Sequence, residues 1–252
     1  MLLGAISLNT IHLSGIPFGA GLPKICVPLT ASSLPALLQE ARMTLSLPAD
    51  LLEWRLDAFS DDPLAALPAL SQAVCRPLLC TLRTAEEGGG AHLTPQEYEA
   101  MLSSLIGAGG FQFLDIEMRF GKRAAALAAR AREAGLGVIL SSHDFHRTPS
   151  KEQMLLALEE MKSLGADLPK LAVTPQSPQD VLDLMEITLE ASRRLGPVIT
   201  MSMGELGRLS RVCGGLTGSC MTFGAGQNAS APGQLPAGTL KTLLIELGGA
   251  KP

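Results

Sequence analysis

The sequence predicts a closed (β/α)8 barrel, a TIM barrel, on three observations. Eight short apolar runs of strand type alternate with helix-like segments. The units recur at a spacing of roughly 30 residues, the repeat of a strand–helix barrel. No linker interrupts them over the 252 residues, so a single domain spanning residues 1–252 is expected. The same alternation also allows an open doubly wound sheet.

The strand runs are Lys24–Leu29, Leu51–Leu56, Pro77–Leu82, Phe111–Ile116, Gly137–Ser141, Pro169–Val173, Val198–Ser202 and Cys220–Phe223. Between them lie helix starts. Thr94-Pro95-Gln96-Glu97 joins an N-cap, a proline at the first helical position and a capping-box glutamate. Ser150-Lys151-Glu152-Gln153 and Ser177-Pro178-Gln179-Asp180 have the same form. Ala124–Ala134 is rich in alanine and arginine and stops at Gly135. Ahead of the first unit, Ala5–Ile16 alternates and turns at Ser14-Gly15, which predicts a β-hairpin capping the barrel floor.

Composition narrows the function. Charged residues make up 17% and hydrophobic residues 46%, as expected of a soluble chain with a large core. The net charge is −4 and no basic run occurs, so nucleic acid is not an expected partner. No apolar run has the length of a membrane span, and the N-terminus lacks a basic region and a cleavage pattern, so neither membrane nor signal peptide is expected. The five cysteines are odd in number and form no C-x-x-C pair, which points to free thiols in a reducing cytoplasm.

In a barrel, catalytic groups project from the C-terminal ends of the strands. Lys170 lies inside Leu168-Pro169-Lys170-Leu171-Ala172-Val173. Burial disfavours an ammonium, and a neutral amine is the nucleophile of Schiff-base chemistry. Lys24 occupies almost the same local pattern, and a lysine at a strand's first residue ordinarily reaches out to water. In Glu53-Trp54-Arg55-Leu56-Asp57 the charges alternate with apolar residues and share one face. A barrel has no edge strand, so that face is expected to point inward to a polar site.

Other strand ends leave more than one reading. Thr81–Gly90 carries Arg83, Glu86, Glu87 and three glycines, and suits a mobile lid or a surface turn. His143 follows a buried strand and suits a general base or a structural histidine. Arg208 or Arg211 could bind a carboxylate or merely be solvated. Gly224-Ala225-Gly226 suits a plain turn or a small phosphate cradle. No metal-ligand cluster and no dinucleotide fingerprint appears, so no cofactor is expected.

Taken together, EWRLD (Glu53–Asp57), TLRTAEEGG (Thr81–Gly89), SHDF (Ser142–Phe145), LPKLAV with Pro175-Gln176, SMGELGRLSR (Ser202–Arg211) and ASAPGQ (Ala229–Gln234) resemble type I 3-dehydroquinate dehydratase over nearly the full length. The resemblance implies a (β/α)8 barrel that converts 3-dehydroquinate to 3-dehydroshikimate without metal or cofactor, with a homodimer expected. It implies Lys170 as the Schiff-base lysine, His143 as the proton-transfer residue and Glu87, rather than Glu86, as the group orienting the histidine. It implies Arg211 on the substrate carboxylate, and Glu53, Arg55, Arg83, Ser230 and Gln234 on hydroxyls and ring substituents. Pro28, Thr174 and Leu216-Thr217 depart from the pattern. Two rivals remain: an aldolase-type Schiff-base barrel, which would need a phosphate cradle, and a non-catalytic sensing relative, which would have lost Lys170 or His143.

Overall fold

Parallel strands and helices alternate along the computed structural model, which describes residues 10–227 and 229–248. The strands are β1 (Ile11–Leu13), β2 (Ile16–Phe18), β3 (Lys24–Leu29), β4 (Leu51–Arg55), β5 (Leu78–Thr81), β6 (Phe113–Glu117), β7 (Gly137–Asp144), β8 (Leu168–Val173), β9 (Ile199–Ser202) and β10 (Met221–Phe223). The main helices are α1 (Leu34–Met43), α2 (Pro63–Ala73), α3 (Pro95–Ala108), α4 (Lys122–Glu133), α5 (Lys151–Ser163) and α6 (Pro178–Leu195). After β9 come the short α7 (Arg208–Val212) and α8 (Gly214–Thr217), and α9 (Ala237–Gly248) follows β10.

The large sheet runs in chain order from β3 to β9, with β10 pairing in parallel beside β3. No reversal of strand order occurs, which rules out the doubly wound alternative. The ring closes where Cys220 N–H donates to the Val198 carbonyl at 2.8 Å and Ser219 Oγ accepts from Thr200 N–H at 3.0 Å. Each of the three capping boxes read from the sequence is formed, at Thr94, Ser150 and Ser177. Most strand bounds shift from expectation by a residue or more, and two of the shifts bear on the site. β6 runs on to Glu117, and β7 runs through His143 to Asp144, so His143 sits on the strand rather than just past it.

The hairpin turns at Ser14-Gly15 as expected, with φ of 48° and 79°, the positive values a two-residue hairpin loop uses. Its strands lie later than expected, at β1 and β2, and residues 5–9 fall outside the described residues.

Strand register sorts the inward side chains into layers of four from alternate strands. The lowest holds Leu51, Phe113, Leu168 and Met221, and the next holds Cys26, Leu79, Ile139 and Ile199, all fully buried. Phe18 of β2 seals this floor, its ring packed edge-on to Phe113 at 5.8 Å. The third layer is Glu53, Asp115, Lys170 and Phe223, and there the barrel turns from apolar to charged. A second apolar shell lies between strands and helices, around Trp54, Leu70, Leu102, Leu140 and Leu184.

Candidate active site

Register separates the two lysines that the local sequence leaves alike. Lys24 is the first residue of β3, at the floor, and its Nζ donates to the Ala20 carbonyl at 3.2 Å. Lys170 is the third residue of β8, inside the charged layer and only 3% exposed. Its Nζ lies 2.9 Å from Asp115 Oδ2 and 4.6 Å above the centre of the Phe223 ring. Buried among these groups, the ammonium is paired rather than isolated.

Arg83 stands at the hub of the buried charges. Nη2 donates to Asp115 Oδ1 at 2.7 Å, while Nη1 faces Ser141 Oγ, Glu117 Oε1 and Glu87 Oε2 at 3.0, 3.2 and 3.3 Å. Glu117 also accepts from Thr84 N–H and Oγ1, and its own N–H donates to Tyr98 Oη. Burial works to raise the Asp115 carboxyl, but Arg83 and Lys170 outweigh it and hold that group well below the usual carboxylate range. Glu87 goes the other way. Burial, reinforced by the neighbouring Glu117 and Asp115 charges and opposed by Arg83, pushes it up to about 8.

Glu87 reaches His143, with Oε2 2.8 Å from Nδ1, whereas Glu86 points away to Arg119 and is exposed. The pairing depends on the glycines that follow. Gly88 has φ of 78° and a Cβ there would strike the Phe145 ring; a Cβ on Gly89 would strike the Arg83 carbonyl. The glycine-rich segment is therefore packed against the site through Gly88 and Gly89, with Glu86 and Gly90 at the surface. Burial, aided by the Arg83 and Lys170 charges, pushes the His143 imidazole well below its usual range. With Nδ1 turned to Glu87, Nε2 is left for the cavity.

The remaining sequence candidates gather around the same cavity. Glu53 accepts from Thr81 Oγ1 at 2.8 Å. Arg55 makes a fork to Asp57, with Nε–Oδ1 at 2.8 Å and Nη2–Oδ2 at 2.7 Å, so Asp57 orients Arg55 instead of facing the cavity itself. Ser230 and Gln234 are hydrogen-bonded to each other. Arg211 lines the cavity, only 2% exposed, and Arg208 is exposed beside Glu205. The Arg211 guanidinium meets no carboxylate among the described residues: Nη2 donates to the Pro232 carbonyl at 3.0 Å, Nη1 faces Met201 Sδ at 3.7 Å, and Nε has no partner. Burial pushes its pKa down to about 10.

Sequence reasoning overlooked Asp115 and Glu117. The signal was present, since Phe113-Leu114-Asp115-Ile116-Glu117 alternates as Glu53–Asp57 does. The departures lie off the cavity: Pro28 borders a neighbouring cleft, Thr174 is tied to the Asp144 and Arg147 carbonyls, and Leu216 is exposed on α8. Gly224-Ala225-Gly226 makes no phosphate cradle, because the first two amides already donate to the Cys26 and Leu235 carbonyls. Among the described residues, no group of His, Cys, Asp and Glu is arranged to hold a metal ion, and no helix is long and apolar enough to cross a membrane.

Residues 25–251 match the sequence profile of the type I 3-dehydroquinase family. The chain belongs to that family. A 3-dehydroquinate dehydratase from Klebsiella pneumoniae is 42% identical over 246 aligned residues, covering 94% of this chain and 98% of the relative. One from Listeria innocua is 39% identical over 94% and 97% of the two chains. Among solved structures, the 3-dehydroquinate dehydratase of Geobacillus kaustophilus superposes with a TM-score of 0.93 at 36% identity, covering 98% of this chain and 100% of that one. The type I enzyme of Clostridium difficile, with covalent modified comenic acid, gives a TM-score of 0.90 at 35% identity over 96% and 98%. The barrel is thus that of a type I 3-dehydroquinase, a family for which the Schiff-base mechanism is characteristic.

Proposed function

We propose that this chain dehydrates 3-dehydroquinate to 3-dehydroshikimate through an imine on Lys170, a step of the shikimate pathway. The observation that carries the reading is one cavity holding a buried lysine, a histidine–glutamate pair and a buried arginine that meets no carboxylate among the described residues. That combination suits a small ketone that also carries a carboxylate.

Nζ of Lys170 first releases its extra proton to solvent through the cavity mouth; the neutral amine then attacks the ketone carbon, and the carbonyl oxygen takes a proton from Nε2 of His143. Glu87 keeps a proton at neutral pH, and the 2.8 Å contact lets it pass to Nδ1 as Nε2 gives up its own. The carbinolamine then loses water to form the iminium. His143, now bare at Nε2, removes the acidified C–H beside the iminium to give the enamine. The enamine expels the ring hydroxyl, which leaves as water with the proton returned by Nε2. One residue acting from one side makes the elimination syn. Water hydrolyses the conjugated iminium, which frees the product and leaves Lys170 as the ammonium, and a proton from solvent restores Glu87.

Arg211 would take the carboxylate in a fork. Glu53, Arg55, Ser230 and Gln234 lie where hydroxyls and ring substituents would meet them. Arg83 lines the cavity too, but its guanidinium is engaged by three carboxylates, so its part is to hold the charged groups. The reading takes the chain as one catalytic domain, a cytoplasmic homodimer without cofactor, and without nucleic acid or membrane as partner.

The test is to add 3-dehydroquinate to the purified protein and follow the ultraviolet absorbance of the conjugated enone. Growth of that band in the parent, and none with Lys170→Ala, is expected. No band with the parent would overturn the reading.

A further inference from the structure

We infer that Asp115 is a further catalytic residue, the fixed counter-ion of the Lys170 nitrogen from the resting ammonium to the iminium intermediate. The inference rests on the imine reading of Lys170 given above.

Four observations point to it. Asp115 Oδ2 lies 2.9 Å from Nζ, the atom that becomes the imine nitrogen. Among the described residues, no other carboxylate pairs with Lys170; Phe223 covers another side of the ammonium with its ring face. Asp115 is 1% exposed, so water does not screen its charge there. Its other oxygen is held by Arg83 Nη2 at 2.7 Å and Ser141 Oγ at 2.6 Å, which fixes the carboxylate without help from the substrate.

Chemistry then assigns the role. When the amine attacks the ketone and water leaves, the nitrogen keeps a positive charge, but now as part of a C=N bond. That charge is what acidifies the neighbouring C–H. A cation in a dry pocket needs an opposite charge set in place beforehand. With Arg83 and Lys170 both beside it, Asp115 stays ionised at neutral pH, so it acts as a standing charge rather than a carrier of protons. Glu87 serves His143, Asp115 serves Lys170, and the single Arg83 guanidinium ties the two carboxylates together.

Asp115→Asn keeps the shape and removes the charge. Losing a preorganised electrostatic contact of this type lowers kcat on the order of 10²–10³-fold. KM is expected to change about threefold or less, because Arg211 and the hydroxyl contacts are untouched. Two readouts separate this from general loosening. Borohydride trapping with 3-dehydroquinate should capture less adduct per unit time, and the kinetic isotope effect from deuterium at the abstracted C–H should shrink toward unity as imine formation becomes limiting. A kcat close to the parent's, or a low kcat with an undiminished isotope effect and trapping rate, overturns the role. Parent enzyme that yields no trapped Lys170 overturns the imine reading and this inference with it. Should Asp115→Asn fail to fold, as judged by thermal unfolding, Asp115→Glu carries the test. It keeps the charge but displaces it by one methylene, and slower trapping with a smaller isotope effect is expected again; parent-like values overturn the role.

Discussion

Oε2 of Glu87 and Nδ1 of His143 lie 2.8 Å apart, and burial moves their proton affinities in opposite directions. The carboxyl is pushed up to about 8 while the imidazole is pushed down. A group that binds its proton more tightly when folded stabilises the native state in full below the ordinary carboxylate range. That contribution is lost as the pH rises, and is gone above about 8. Glu87→Gln has no such proton. Its stability relative to the parent should therefore rise between pH 5 and pH 9, by about 1 kcal/mol or more, or roughly 2–4 °C in Tm. Thermal unfolding of both proteins at several pH values checks this, and parallel curves would contradict it. The same variant should lose the proton relay, and with it on the order of 10²-fold or more in kcat.

Borohydride reduction in the presence of 3-dehydroquinate should leave one stable adduct, on Lys170. Lys24 is the internal control, since its local sequence is nearly the same but it sits on the floor, bonded to the Ala20 carbonyl. Peptide mass spectrometry locates the modification. An adduct on Lys24 would sink the assignment of the nucleophile.

Arg211→Ala should weaken binding, and His143→Ala should halt proton transfer. Cutting one partner of a buried Arg–carboxylate pair costs roughly 2–5 kcal/mol. The loss should appear mainly in KM if the carboxylate is held alike in ground and transition states. His143→Ala should lower kcat by roughly 10²–10⁴-fold and leave trapped imine, because attack by Lys170 continues. Steady-state kinetics on both variants decides the matter; a normal kcat for the histidine variant with a normal KM for the arginine variant would refute both roles.

Gly88→Ala should damage stability and catalysis together. The position has φ of 78°, and the added methyl would meet the Phe145 ring. Strain of this type costs about 1–3 kcal/mol. Relief by shifting the loop moves Glu87 off His143, so kcat should fall even in protein that remains folded. A variant with parent-like Tm and kcat would show that the loop does not set the Glu87 position.

Prolonged dialysis against a chelator, or addition of nicotinamide cofactors, should leave turnover unchanged. The described residues offer no His, Cys, Asp and Glu group arranged to hold a metal ion. Loss of activity on chelation, restored by zinc or magnesium, would contradict this.

The barrel was legible because its signals are local: alternating strand and helix periods, and three capping boxes that all form. The nine candidate site residues meet at one cavity because each stands on the inner face of a strand's C-terminal part or in the segment that follows it, where the fold directs side chains to the mouth. Lys170 and Lys24 were not separable on local pattern. They differ by strand register, which only the pairing of neighbouring strands sets. Asp115 and Glu117 were hidden for a related reason. Asp115 sits in an apolar run that reads as buried strand, and the arginine that makes the burial of both carboxylates tolerable comes from just past β5, more than thirty positions earlier in the chain. Glu117 lay one residue past the expected end of its strand.

The hairpin floor has a consequence for solvent. Among the described residues, Phe18 and the four residues of the lowest layer are fully buried and fill the floor of the barrel. The proposed cycle releases one water as the imine forms, expels a second from the ring and draws one back to hydrolyse the imine. With the floor filled by the described residues, all three pass the mouth through which the substrate enters and the product leaves. Solvent traffic and ligand traffic therefore share one passage, and the hydrolytic step has to wait for a water that arrives from the side the bound ring covers. A slow final step, sensitive to viscosity and to any change that narrows the mouth around Ser230–Gln234, is what such a vessel with a sealed base produces.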